Sequence, residues 1–251
     1  MNNNNKHLNE EKLEARDLSL TTEDKTVKKL GNFWYHNKWT IIIVAFFVAV
    51  LVIVSVQLLT RVEYDVNVTI SGPDFLNSEK LFYVRDDLSS DLKADINGDG
   101  KKTVSVTTYP VFSESELKAI NHSKKDSNGN YIKIVEESEN LSQYKQFVQH
   151  SQTGDTFILI LSKYVYEPLK ATNPSRLLPL SNIYESSLPE GALADGYGIK
   201  LSDTAIYQDS ATLQGFADDY IICICKLPDM ASKKQTKAYE LSIEYFKDLV
   251  G

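Results

Sequence analysis

The chain has 251 residues, 42% of them apolar and 24% charged, with a formal charge of −7. That is enough apolar material for a packed core and too much for wholesale disorder. Two cysteines exclude a disulfide scaffold or a cysteine-rich zinc module, and the acidic balance argues against nucleic acid as a partner.

Residues 1–38 read as a tail. Met1–Asn5 contains an asparagine run without a core-forming residue, so the tail is expected to be mostly disordered. Thr22 can cap a short helix from Glu23 onward, which would bring Val27, Leu30 and Trp34 to one face. The segment is too short and polar to be a catalytic domain.

From Ile41 to Val54 fourteen apolar residues follow without interruption. With their uncharged neighbours, residues 39–59 make about 31 Å of helix, the hydrocarbon thickness of a bilayer. Trp34, Tyr35 and Trp39 cluster at one end, where amphipathic rings favour the headgroup layer. The run is longer than a signal-peptide core, and neither a small-x-small cleavage site nor a cysteine for lipidation follows it. Residues 39–60 are therefore expected to be an uncleaved signal anchor. Lys25, Lys28, Lys29 and Lys38 precede it, whereas Arg61 and Lys80 follow among several acids. The positive-inside rule puts the N-terminus in the cytoplasm and residues 61–251 outside the plasma membrane.

The outer part is long enough for one globular domain and carries the acidic excess. Residues 63–70 alternate as a first strand, ended by Ser71-Gly72-Pro73. Apolar residues from Phe75 to Leu92 recur at helical spacing, with Asn77 or Ser78 as cap. Thr103–Tyr109 reads as a second strand, residues 118–130 as a polar loop, and Tyr131–Val135 as a short strand. Asn140 is expected to cap a helix through Gln152. Thr156–Leu161 is apolar throughout, as suits a central strand covered on both faces. A short helix over Tyr164–Lys170, strands at Ile199–Leu201 and Tyr220–Lys226, and a closing helix over Lys233–Val250 complete the order. The alternation predicts an α/β domain with a mainly parallel sheet.

In such sheets ligands sit beyond the carboxyl ends of the strands. The candidate ligand-binding lip is then Ser71, Gly72, Tyr109, Ser162, Tyr164 and Tyr166. Tyrosine rings there would offer flat stacking surfaces.

The succession VNVTISG, a helix, TVSVTTYPV, a helix ending QTGDTFILIL, then YEPLKA and RLLPL resembles one lobe of a type 2 periplasmic (extracellular) solute-binding protein. The likeness covers residues 63–180, and a complete member has two lobes and about twice the length. The chain is also similar to small signal-anchored membrane proteins of Gram-positive bacteria that have no assigned activity. The resemblance implies an α/β fold and ligand binding without catalysis.

Asp95-Ile96-Asn97-Gly98-Asp99-Gly100 has the opening of a calcium loop, with Asp95, Asn97 and Asp99 as candidate ligands. The twelfth position, where a bidentate acid belongs, is Val106, so the alternatives are a tight turn or a weak calcium site. No other cofactor is implied. Cys223 and Cys225 lie in the apolar run YIICIC and are expected to be buried thiols. His122 and His150 are the two histidines outside the tail, and no nucleophile elbow, P-loop or zincin motif accompanies them. The expectation is a non-enzymatic, membrane-anchored module. It would bind an unknown small molecule or protein, with the lipid bilayer as its other partner. The alternative is a structural bitopic scaffold subunit of a cell-envelope complex.

Overall fold

A computed structural model describes residues 4–59, 64–95, 98–127, 129–185 and 187–251; within the first segment, the side chains described are those of 29 and 31–57. The chain divides into two units, residues 1–62 and 63–251.

The first unit is one helix, α1 (Asn4–Leu59). Within it Gly31–Gln57 is long and apolar enough to cross a bilayer, and its most apolar window buries nothing within the protein. Among the described residues it is the single candidate membrane span, consistent with a single-pass anchor. The backbone is helical from Asn4, upstream of the apolar run, where the sequence predicts a mostly disordered tail. The segment EEKLEAR is built from strong helix formers, which accounts for the local preference.

The second unit is an α/β domain around a five-stranded sheet of order β2-β1-β3-β5-β4. Its strands are β1 (Val66–Gly72), β2 (Val104–Pro110), β3 (Ile158–Ser162), β4 (Gly198–Lys200) and β5 (Tyr220–Ile224). Its helices are α2 (Ser78–Ser90), α3 (Glu114–Asn121), α4 (Glu137–Gln152), α5 (Lys163–Thr172), α6 (Ala205–Asp209) and α7 (Lys233–Val250).

β1 pairs in parallel with β2 and with β3, whereas β5 is antiparallel to both β3 and β4. The sheet is therefore mixed rather than mainly parallel by crossover. The reason lies in residues 201–219, which hold only short 3-10 turns and the five-residue α6. That connection leaves and re-enters the sheet at the same end, so β5 must run back against β4.

β3 is central, and all five of its residues are buried. Ile158, Leu159, Ile160 and Leu161 expose nothing, each contributing roughly 1.5–3 kcal/mol of burial. The first crossover moves one way from β1 and the second moves back past it. Right-handed connections then place α2 and α4 on opposite faces. α7 joins the α2 side, where the Tyr245 hydroxyl donates to the Leu88 carbonyl at 2.5 Å.

The exposed edge at β2 is blunted in two ways. Thr103 and Val111 direct their backbone groups to the β1 side, so Pro110 falls on the outward-facing register and its missing N–H costs no ladder bond. The outward N–H of Val104 is capped by Ser89 Oγ at 3.1 Å.

Candidate functional site

β2 leads through Val111 and Phe112 into a segment inserted before α4. Ser113 starts α3 with a capping box: its Oγ accepts the Glu116 N–H, and Glu116 accepts the Ser113 N–H at 2.7 Å. Phe112, Leu117 and Val135, with Ile120 packed on them, form a small hydrophobic cluster separate from the main core. Asn121 closes this unit on itself. Its Oδ1 accepts from Ile134 and Val135 N–H groups, and its Nδ2 donates to the Val135 carbonyl.

The expected cap at Asn140 is corrected by the structure. α4 begins at Glu137, with Glu136 in the cap position and no side-chain bond there. Asn140 instead reaches across to Phe112, accepting its N–H and donating to its carbonyl, both at 2.9 Å. A long-range demand of the backbone outranks the local capping preference.

Between this inserted unit and the helices α4 and α5 lies an open cleft of about 760 Å³. One wall carries Leu117, Lys118, His122 and Tyr131; the other carries Leu141, Tyr144, Tyr164 and Pro168. Burial pushes the Tyr144 phenol above its ordinary pKa, and Tyr164 adds to it. Tyr131 stacks on His122, ring centroids 4.4 Å apart and tilted by 31°. Lys118 pairs with Glu114 at 2.5 Å, and Lys133 pairs with Glu136.

Of the six lip residues, Tyr164 lines this cleft. Ser71 is buried and donates to the Tyr109 carbonyl at 3.0 Å. Tyr109 is half-buried and packs against Phe147 and His150. Ser162 is buried with its Oγ unpartnered. Tyr166 is fully buried and donates to Asp195 at 3.0 Å, and Lys170 holds the same carboxylate. Gly72 is also buried, and Tyr220 from β5 lies over it. Tyr220 donates to Asp74 at 2.8 Å, and both groups are pushed above their ordinary pKa values by burial first. The end of β1 and β3 is thus closed by Tyr220, and the opening lies to one side, past β2 and α5.

A second, smaller cleft of about 470 Å³ has charged residues, among them Lys163, Glu167, Lys170 and Asp195, beside the apolar Leu193 and Ile221 in its lining.

In the candidate calcium turn, Asp95 accepts the N–H groups of Gly98 and Gly100 at 2.7 and 2.8 Å. Asp99 accepts that of Lys101 at 2.8 Å. These bonds build a tight turn with both glycines at positive φ. Asn97 lies outside the described residues. Among the described residues no group of three His, Cys, Asp or Glu side chains is placed to hold a metal ion.

The wall contributed by α3 and Tyr131 is what sequence reasoning missed. Its signal was present in Ser113-Glu114-Ser115-Glu116, which has the S-x-x-E form of a capping box. Tyr131 pairs with Lys125 in an isolated bridge rather than in a strand.

No family model matches this chain, and neither a curated protein nor a solved structure is significantly similar to it.

Proposed function

We propose that the chain is a membrane-anchored binding or interaction module without catalysis. Residues 1–38 lie in the cytoplasm and residues 61–251 outside the plasma membrane. The excess of lysines before the apolar helix supports this orientation. The observation that carries the binding reading is the open cleft between α3 and the α4–α5 pair, with three tyrosines in its walls. Ligand sites are concave, mostly apolar and furnished with a few polar groups, and they occupy about 300–1,000 Å³. The likeness of residues 63–180 to one solute-binding lobe belongs to the same proposal, and the succession of strands and helices through β3 supports it.

The full chain in lipid nanodiscs, screened by thermal shift against small molecules and peptides, tests the reading. A cleft ligand at saturation raises the melting temperature by a few degrees, and Tyr164→Ala abolishes the effect. A protein that answers to no such ligand, and yields only a cross-linked protein partner, is the scaffold subunit instead. The exposed Phe82 and Tyr83 side by side on α2 favour that second reading. Orientation has its own check. Protease added to intact cells should trim residues 61–251, and alkaline carbonate should leave the chain in the membrane.

A further inference from the structure

Resting on that reading, we propose that the cleft takes an uncharged saccharide chain. Three features of its lining converge on this class.

The first is flat apolar surface presented in advance. Tyr131 and Tyr164 are 52% and 48% exposed, one on each wall. Tyr131 is fixed before any ligand arrives, by His122 against its ring and by the Lys125 ammonium 4.7 Å from its centroid. A pre-set ring loses little freedom on binding. The C–H face of a sugar ring lies on the Tyr164 ring, while the phenolic oxygens meet the hydroxyls at its edge.

The second is charge balance. Both lysines in the lining already hold a carboxylate, Lys118 that of Glu114 and Lys133 that of Glu136. An anionic ligand at either lysine would have to displace one of these partners. Sugar hydroxyls need no such exchange, since each can donate to a carboxylate and accept from an ammonium that remain paired. Glu137, also in the lining, adds further acceptor oxygens. A wholly apolar peptide would desolvate all of these groups and return them nothing.

The third is openness. The exposed side chains, including Leu141 at 52%, stand at the mouth rather than around a sealed cavity, so a chain can run on beyond the site.

The test uses the full chain in nanodiscs on a printed array of neutral and acidic oligosaccharides, then calorimetry with the best neutral binder. The expected result is binding to at least one neutral class. Its affinity should fall about tenfold with Tyr164→Ala or Tyr131→Ala, the loss typical of an aromatic anchor. It should change less than about twofold from low salt to about 0.5 M, because no net ion pair forms. Both tyrosines are half-exposed, so unchanged melting curves confirm that the variants fold. An array bare of neutral sugars overturns the proposal. So does binding confined to acidic sugars that collapses in salt. The peptide and small-molecule screen separates the two failures. A hit there that Tyr164→Ala abolishes, with a bare array, removes the saccharide and leaves the cleft; no hit in either removes both.

Discussion

The Tyr220 hydroxyl stands 2.0 Å from where a Cβ on residue 72 would be. Gly72 is the last residue of β1, and Tyr220 is the first of β5, two strands away. The tyrosine therefore reaches across the end of β3, and only the missing side chain at position 72 lets it lie there. Any Cβ would overlap the ring as well as the hydroxyl, since the Cζ atom is 2.5 Å from the same point. Gly72→Ala is expected to destabilise the domain by about 1–3 kcal/mol, the usual cost of overpacking. Tyr220→Phe should not rescue it, because the ring carbon still clashes. Urea unfolding of the two single variants and the double variant checks this; a stability unchanged in Gly72→Ala would refute the crossing.

The partner of that hydroxyl gives a pH prediction. Burial is the main reason the Asp74 carboxyl titrates above the ordinary carboxylate range, and Glu116 and Asp219 add to it against Tyr220 and Lys80. A folded-state pKa above the unfolded value means that the native form holds the proton more tightly. Stability then falls as pH rises from the ordinary carboxylate value through the raised one. Asp74→Asn removes this slope while its amide oxygen can still accept from Tyr220. The difference in unfolding free energy, variant minus wild type, is expected to grow with rising pH across that window. Asp91, raised in the same direction by burial and then by Asp209, Asp87 and Asp248, leaves a residual slope in both proteins. A difference that shrinks with pH would contradict the assignment.

The two thiols offer a simpler measurement. Cys223 and Cys225 are both reduced and fully buried in β5 and just beyond it. Burial pushes the Cys225 thiol up to about 11, against a smaller opposing pull from Arg176, and pushes Cys223 upward as well. Neither has the thiolate character or the access that reactivity needs. An aromatic disulfide reagent at neutral pH should label no cysteine in the folded chain and two in denaturant. Fast labelling under native conditions would mean that β5 is not held where the sheet places it.

What could be read from the sequence follows the reach of the forces involved. β3 was legible because an unbroken apolar run is the signature of a strand buried on both faces. α7 was legible as an amphipathic stretch over Lys233–Val250, and the structure adds a local capping box of Ser232 and Gln235 at its start. Asn77 caps α2 for the same local reason, accepting the Lys80 N–H. The direction of β5 was not legible, because it depends on where a connection without a crossover helix re-enters the sheet. The lip was read as open for a related reason. Strand order places Ser71, Gly72 and Ser162 at a sheet end, but only the third dimension brings Tyr220 over them. Tyr164 was found because it follows β3 directly, whereas Tyr131, far off in sequence, was assigned to a strand.

The inserted unit that bears Tyr131 hangs on one side chain. Asn140 satisfies both backbone groups of the buried Phe112, the residue through which β2 passes into α3. Asn140→Ala leaves that N–H and that carbonyl unpaired, at about 1–3 kcal/mol for each group that stays desolvated. The loss should be local, because the Phe112–Leu117–Val135 cluster is separate from the main core and can open without it. Hydrogen exchange is expected to quicken across residues 113–135 in the variant, while β1 and β3 keep their protection. Asn140→Asp retains the acceptor but not the donor and should fall between the two. Equal loss of protection in β3 would mean that the unit and the sheet open together, and that the cleft wall is not an independent element.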